Sequence, residues 1–239
     1  MDTFERYEIK YLMTFAQRKE FLKVMEDNGM RLDEYGRTTI RNVYYDTENK
    51  RLIRTSLGKP VYKEKLRVRS YSLVTPDDIV FVELKKKYLD VVYKRRIAIK
   101  ERLATAWLEG KIGKPVSAQI ASEIEYFSDV YKGLQPSCFL SYEREAFFDS
   151  EGSDLRITLD ENILARTDNM SLTKGPYGSS ILTPGMTLLE VKCSGALPLW
   201  LVRFLSDNHI YKTSFSKYGA FYQQSLISCK GGQSYAKSV

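Results

Sequence analysis

The chain has 239 residues, of which 43% are hydrophobic and 13% aromatic, which is enough for one full-sized core and argues against a disordered chain. Its formal net charge of +7 favours an anionic partner such as nucleic acid, anionic lipid or phosphate. No apolar run is long enough to span a membrane, no secretory signal opens the sequence, and a single histidine, His209, argues against a Ser-His-Asp triad.

The three cysteines, Cys138, Cys193 and Cys229, lie far apart and lack metal-ligand spacing. This usage predicts buried free thiols in a reducing compartment. We therefore expect a cytoplasmic protein.

The first part of the chain combines strands and helices. Alternating apolar and polar residues predict a strand over Phe4–Tyr11. Thr14 and Gln17 form a capping-box pattern, which predicts that a helix follows. The next predicted elements are a strand near Thr39–Tyr45 and a short helix near Glu48–Thr55.

Three basic strands come next. They are predicted over Tyr62–Ser70, Ile79–Lys87 and Val91–Lys100, and Pro76-Asp77-Asp78 predicts the turn between the first two. In the first strand Lys63, Lys65, Arg67 and Arg69 share one face, in the second Lys85 and Lys87 are in phase with Phe81 and Glu83, and in the third Lys94, Arg96 and Lys100 are in phase.

The remaining elements return from helices to strands and end in two helices. The predicted helices are Ile99–Lys111, Ser117–Lys132, Pro198–Asn208 and Ser216–Ser228, and the predicted strands are Ser137–Phe147, Leu155–Asp160 and Met186–Cys193. Asn162–Gly185 is rich in Gly, Ser, Thr and Pro and is predicted to be a long loop. We expect a single domain over 1–228 with a flexible tail over 229–239. The pattern favours an α+β fold, in which a closed antiparallel β-barrel of about eight strands has helices packed outside.

Cations are concentrated on one face of the predicted strands. They are Lys10, Lys63, Lys65, Arg67, Arg69, Lys85, Lys87, Lys94, Arg96, Arg144, Arg156 and Lys192, with the acids Glu8, Glu83, Asp160 and Glu190 among them. A solvated basic face is an ordinary explanation for one strand, but the same pattern in six strands favours a shared interior. Enclosed cations repel one another, so such a lumen requires a polyanion or interleaved acids.

A linear polyphosphate meets this requirement, because every phosphate is charged and no base or sugar has to be accommodated. Arg contacts phosphate oxygens in a bidentate manner and Lys as a point charge. Arg67 and Arg69 project about 7 Å apart from one strand, near the spacing of alternate phosphates. The acids would then serve as ligands of a hard divalent cation.

Eight short motifs occur in a specific order between about Phe4 and Tyr222. They are Arg6-Tyr7-Glu8-Ile9-Lys10, Leu66-Arg67-Val68-Arg69, Glu83-Leu84-Lys85-Lys86-Lys87, Tyr93-Lys94-Arg95-Arg96, Tyr142-Glu143-Arg144, Arg156-Ile157-Thr158-Leu159-Asp160, Leu189-Glu190-Val191-Lys192 and Ser216-Lys217-Tyr218. The set resembles the triphosphate tunnel metalloenzyme superfamily, also called CYTH-like. Within it, the chain looks most like the catalytic domain of the vacuolar transporter chaperone (VTC), a polyphosphate polymerase.

The resemblance implies roles for individual residues. The catalytic phosphate ligands would be Lys10, Arg67, Arg69, Lys85, Arg144, Arg156 and Lys217. Further phosphate contacts would come from Lys65, Lys87, Lys94, Arg96, Tyr142, Lys192 and Ser216. Glu190, with Glu8 and Asp160 as weaker candidates, would hold Mn²⁺ or Mg²⁺. A plain salt bridge is the alternative for Glu190, and a solvated helix position is the alternative for Lys217.

Arg6 departs from the superfamily pattern. Hydrolytic members typically open with Glu-x-Glu-x-Lys, and here the first Glu is replaced by Arg6. Loss of that carboxylate weakens a second metal site or a water-activating base. The departure favours phosphoryl transfer onto phosphate over transfer onto water.

The reaction implied by the resemblance passes the γ-phosphoryl of ATP to the end of a polyphosphate chain and releases ADP. A triphosphatase or nucleoside triphosphatase of the same fold, and a non-catalytic polyphosphate-binding subunit, remain alternatives. Nucleic acid is not expected as a partner, because the aromatic residues fall mostly on the apolar strand faces. The expected partners are ATP or another triphosphate and polyphosphate. A separately encoded membrane partner is compatible with the sequence, since the eukaryotic relatives carry membrane helices.

Overall fold

The structure is a computed structural model that describes residues 7–89 and 91–234, with side chains as far as Ile227. The strands are β1 (Tyr7–Thr14), β2 (Met30–Leu32), β3 (Thr38–Asp46), β4 (Tyr62–Ser70), β5 (Ile79–Tyr88), β6 (Val91–Lys100), β7 (Gln135–Asp149), β8 (Arg156–Arg166), β9 (Ser179–Ser180), β10 (Met186–Cys193) and β11 (Lys212–Thr213). The helices are α1 (Phe15–Asp27), α2 (Arg51–Leu57), α3 (Glu101–Leu108), α4 (Gln119–Val130), α5 (Leu199–Asp207) and α6 (Lys217–Ser234). The predicted α+β class is confirmed.

The strands form one large sheet with antiparallel pairing. Neighbouring strands follow the order β11-β1-β10-β8-β7-β3-β4-β5-β6, with β2 on β7 and β9 on β8. No pairing joins β11 to β6 within residues 7–89 and 91–234. The predicted closure of the sheet into a barrel is therefore not confirmed.

The chain divides into two compact units. Unit 1 contains the described residues among Met1–Thr39, Tyr142–Ile163 and Leu182–Phe215, and unit 2 contains those among Ile40–Ser141, Leu164–Ile181 and Ser216–Val239. Each unit has its own core of apolar side chains. The single-domain assignment and the flexible tail stay predictions.

In unit 1, helices α1 and α5 cover the apolar face of β1, β10 and β8. Thr14 caps α1 because its side chain accepts a hydrogen bond from the backbone N–H of Gln17, and the Gln17 side chain returns one to Thr14. The predicted capping box is thus confirmed. Phe21 of α1 packs on Phe204 of α5, with ring centroids 4.9 Å apart, at the centre of this core.

In unit 2, the apolar face of β4, β5 and β6 packs against α3 and α4. Leu66, Val82 and Leu84 point into this core together with Ile124 of α4. The alternation in β4 and β5 therefore separates a buried apolar face from a polar face, as period-two strands require. The polar face carries the residues of the candidate site.

Most predicted elements are present, with shifted ends. The strands over Tyr62–Ser70 and Met186–Cys193 are confirmed residue for residue. The predicted loop Asn162–Gly185 contains the end of β8 and the short β9. Helix α6 continues to Ser234, beyond its predicted end at Ser228. The start of the first predicted strand, residues 4–6, lies outside the described residues.

The thiols of Cys138 and Cys193 are free and buried, as expected. Burial raises the pKa of Cys138 to about 12, so this thiol is not a nucleophile at neutral pH. The side chain of Cys229 lies outside the described residues. Among the helices that the structure describes, none combines the length and apolarity needed to cross a bilayer.

Candidate functional site

The polar faces of β4, β5 and β6 form a continuous surface in unit 2, which we call the cation face. Its basic residues are Lys63, Lys65, Arg67, Arg69, Lys85, Lys87, Lys94 and Arg96. The sequence predicted that these side chains share a strand face. The structure adds their cross-strand register, and the register decides which charges meet.

Several lysines on the cation face stand directly opposite one another. Lys65 of β4 is opposite Lys85 of β5, which is in turn opposite Lys94 of β6. Lys63 is opposite Lys87, and burial together with the charge of Lys87 lowers the pKa of Lys63. Like charges directly opposed destabilise a sheet, and an anionic ligand would relieve such repulsion.

Glu83 supplies the negative charge within the cation face. Its side chain is only 1% exposed, and its carboxylate lies 2.7 Å from Arg67 Nη2, 3.1 Å from Lys94 Nζ and 3.8 Å from Arg69 Nε. Burial alone would raise the pKa of Glu83, but these three cations outweigh burial and hold the pKa at about 2. Among these four side chains, one anion thus faces three cations.

The start of helix α6 lies next to the cation face. Lys65 Nζ donates a hydrogen bond to Ser216 Oγ over 3.1 Å. The same oxygen accepts from the backbone N–H of Gly219 at 3.2 Å, so Ser216 caps the helix. Lys217 follows directly and is partly buried. The structure therefore brings Ser216 together with Lys65, and their phosphate-binding roles stay predictions.

A buried hydrogen-bond network anchors this end of α6, and the sequence analysis missed it. The Tyr218 hydroxyl donates to Asp46 Oδ2 at 3.1 Å, and the Asp46 carboxylate also accepts from two backbone N–H groups that begin α2. The Tyr218 ring stacks on Tyr44, whose hydroxyl accepts a hydrogen bond from Arg67 Nη1 at 3.0 Å. Tyr218 stands inside a quoted motif, but nothing local in the sequence marks Asp46.

Unit 1 holds a second, mixed cluster of charges. Lys10 Nζ lies 3.2 Å from Glu8 Oε1 and 3.3 Å from Glu190 Oε1, and it donates to the Phe215 carbonyl at 3.0 Å. Lys192 lies 3.9 Å from Glu8. Two of the three carboxylates predicted as metal ligands, Glu8 and Glu190, thus converge on one ammonium group.

Arg144 is the centre of the other half of this cluster. Its Nε and Nη2 donate to both oxygens of the fully buried Asp160, at 2.6 and 2.7 Å, and Nη2 also reaches Glu190 at 3.2 Å. Its guanidinium lies over the ring of Tyr142, with Cζ 5.1 Å from the ring centroid. Burial favours a lower pKa, but Tyr142, Asp160 and Glu190 raise the pKa of Arg144 well above its ordinary value. Arg144 is therefore a permanent cation.

The acids of unit 1 fit a metal only in part. Carboxylate oxygens are the hard donors that Mg²⁺ and Mn²⁺ prefer, and Glu8 and Glu190 approach one point. Both oxygens of Asp160, however, are used by Arg144. In the part of the chain that the structure describes, no group of three acidic, His or Cys side chains could hold a metal ion.

Arg156 is the remaining predicted catalytic phosphate ligand. Arg156 is exposed, stands opposite Lys192 in the sheet and lies over the Phe148 ring, with Cζ 5.4 Å from its centroid.

Several aromatic residues also contact predicted phosphate ligands, as Tyr142 and Tyr44 do, so the aromatic residues are not confined to the apolar faces. The convergence of all predicted cations on a single lumen stays a prediction.

The fold is shared with solved proteins described in terms of cyclase and triphosphatase activity. A candidate adenylate cyclase from Bacillus halodurans is 15% identical with a TM-score of 0.55, over 87% of this chain and 92% of that chain. A candidate adenylyl cyclase from Hippeastrum, described as having a dominant triphosphatase activity, is 18% identical with a TM-score of 0.55, over 92% and 96%. At such identities the similarity establishes the class of fold.

The family assignment comes from a match over nearly the whole chain. The VTC domain family matches residues 5–226, so the chain belongs to the VTC domain family. This confirms the resemblance on which the residue roles were based. A search among curated proteins found no match.

Proposed function

We propose that this protein is a metal-dependent phosphotransferase that moves the γ-phosphoryl of ATP onto the end of a polyphosphate chain. The observation that carries the proposal is the row of opposed lysines, Lys65, Lys85 and Lys94, on the cation face. Such a row is unfavourable by itself and becomes favourable when an anion of repeating charge lies along it. Membership of the VTC domain family supports the same ligand.

The reaction would depend on positioning and charge neutralisation. Phosphoryl transfer requires little covalent chemistry from the protein, and positive groups stabilise the charge on the transferred group. Arg67 and Arg69 offer planar guanidinium groups that can bind two phosphate oxygens each. Arg67 Nε donates a hydrogen bond of 2.8 Å to the Glu83 carboxylate, which orients the guanidinium group. We further propose that the polyphosphate passes through a tunnel. Membership of the VTC domain family supports this part of the proposal, whereas the strand pairing does not.

A divalent cation, Mg²⁺ or Mn²⁺, is part of the proposal. Glu8 and Glu190, whose carboxylates both contact Lys10 Nζ, would hold it. Phosphate oxygens of the substrate would have to supply further ligands, as is usual for Mg²⁺ sites with only one or two carboxylates. When bound, the metal would supply positive charge that neutralises the phosphates.

Hydrolysis is the second candidate function. It is favoured by the fold shared with the Hippeastrum protein described as a triphosphatase. The same cation face would bind the triphosphate in both cases, and the acceptor would be water instead of phosphate. Product analysis separates the two reactions.

The test is incubation of the protein with ATP and Mn²⁺ or Mg²⁺, followed by a gel stained for polyphosphate and an assay for ADP and inorganic phosphate. We expect polymer and ADP in proportion, and no product after chelation of the metal. Inorganic phosphate without polymer would assign the protein to the triphosphatases. Binding of tripolyphosphate without any turnover would make it a binding subunit and contradict the proposed activity.

A further inference from the structure

Two aromatic rings lie at the end of the cation face that is away from the opposed lysines. Phe81 belongs to β5 and shares the strand face of Glu83 and Lys85, since these residues alternate along one strand. Tyr71 follows directly after β4, and its ring meets the Phe81 ring edge-on, with centroids 5.6 Å apart. Tyr71 is 41% exposed and Phe81 is partly buried, so part of this ring pair is open to a ligand.

A guanidinium group lies against each ring. Arg96 Cζ is 4.7 Å from the centroid of Phe81, and Arg69 Cζ is 6.0 Å from the centroid of Tyr71. Arg69 is buried and is fixed by a hydrogen bond from its Nε to Asn42 Oδ1 at 3.0 Å. The ring pair therefore lies between two cations of the cation face, Arg69 and Arg96.

The rings and the lysine row lie at a separation that suits one ligand. Phe81 and Lys85 are four residues apart on β5, which is about 14 Å along a strand. Arg67 and Arg96 occupy the one row between them, on either side of Glu83. This distance is comparable to the length of an extended nucleoside triphosphate, with its base at one end and its terminal phosphate at the other.

We infer that Tyr71 and Phe81 form a stacking site for the base of a nucleoside triphosphate whose phosphates extend along the cation face toward Lys85. The inference rests on the proposed function and adds the part of the site that recognises the nucleoside. Aromatic rings stack on any base through their π-faces, and the neighbouring guanidinium groups add cation–π contacts. The site would thus prefer nucleotides over inorganic triphosphate and discriminate only weakly between bases.

The experiment compares the dissociation constants of two ligands, a non-hydrolysable ATP analogue and inorganic tripolyphosphate. The variants are Tyr71→Ala and Phe81→Leu, of which the second keeps an apolar side chain in the sheet. Each should weaken binding of the ATP analogue by about tenfold, since that is the scale of one lost stacking contact. Binding of tripolyphosphate should change less than about twofold, because stacking involves no phosphate.

Tyr126→Ala is the matched control, since Tyr126 is 70% exposed on α4 of the same unit and should leave both constants unchanged. Equal weakening of both ligands in the two variants would show that the rings only support the arginines, and would overturn the inference. Unchanged binding of the ATP analogue would also overturn it. A wild-type protein that binds tripolyphosphate but not the ATP analogue would overturn it while leaving phosphate binding intact, whereas binding of neither would contradict the proposed function itself.

Discussion

Glu83 contacts three cations of unit 2, Arg67, Arg69 and Lys94. Its folded-state pKa of about 2 lies below the ordinary value of 4.5. A depressed carboxyl pKa contributes stability above the unfolded-state value, and this contribution is lost as the pH falls through the folded-state value. Glu83 therefore stabilises the fold fully above about pH 4.5 and progressively less toward pH 2.

Removal of this carboxylate should couple stability to the ligand. We expect Glu83→Gln to lower the free energy of unfolding at pH 7 by about 3 kcal/mol, because three cations lose their buried counter-charge. Added tripolyphosphate should restore part of the loss and should stabilise the variant more than it stabilises the wild type. Thermal unfolding with and without tripolyphosphate measures both effects.

Glu64→Gln is the comparison for this prediction. Glu64 is also a buried acid of the same sheet, but it lies on the strand face opposite to the cation face. Its carboxylate is 3.9 Å from Lys86 Nζ and accepts a hydrogen bond from the Tyr131 hydroxyl. Its removal should destabilise the protein without increasing the effect of tripolyphosphate. If the two variants respond alike to tripolyphosphate, the cation face is not the anion site.

At the scale of elements, β5 contains a paired test of the cation face. Lys85 and Lys86 are neighbours in sequence, but Lys85 points to the opposed lysines and Lys86 points to Glu64. Lys85→Met should weaken tripolyphosphate binding about tenfold, since a charge-assisted contact to phosphate is lost. Lys86→Met should leave it within about twofold, because its charge lies on the opposite face.

Isothermal titration at two salt concentrations measures these constants. Added salt should weaken tripolyphosphate binding more in the wild type than in Lys85→Met, because one fewer cation contacts the anion in the variant. A larger effect of Lys86→Met than of Lys85→Met would show that the ligand lies on the other face of β5.

The elements also show what the sequence could predict. Alternation in β4 was sufficient to predict its bounds and the shared face of Lys65 and Arg67, because a period of two is a local property. The short strands β2, β9 and β11 were missed, because two or three residues carry no measurable period. The predicted closure depended on pairing between distant strands, which alternation does not specify.

At the scale of the whole molecule, the order of the motifs predicted the family better than it predicted contacts. The family was confirmed over residues 5–226. The bond between Tyr218 and Asp46 joins residues 172 positions apart, and the role of Glu83 depends on its register with Arg67. Such contacts are set by tertiary packing, and therefore the anchor of α6 and the charge balance of the cation face could not be predicted from residue types alone.

The arrangement of the positive charge is more informative than its total. The net charge of +7 is common to many anion-binding proteins, but opposed lysines on adjacent strands are suited to a ligand of repeating charge. Both candidate reactions and the nucleoside site require that a linear triphosphate lies on this surface. The other proposals therefore rest on the location of this triphosphate on the cation face.

A crystal structure of the protein with bound tripolyphosphate tests that claim most directly. We expect a chain of phosphate density along the cation face, within hydrogen-bond distance of Lys65, Lys85 and Arg67. Clear density for the ligand at another surface, such as the exposed arginines of α2, Arg51 and Arg54, with none on the cation face, would contradict it.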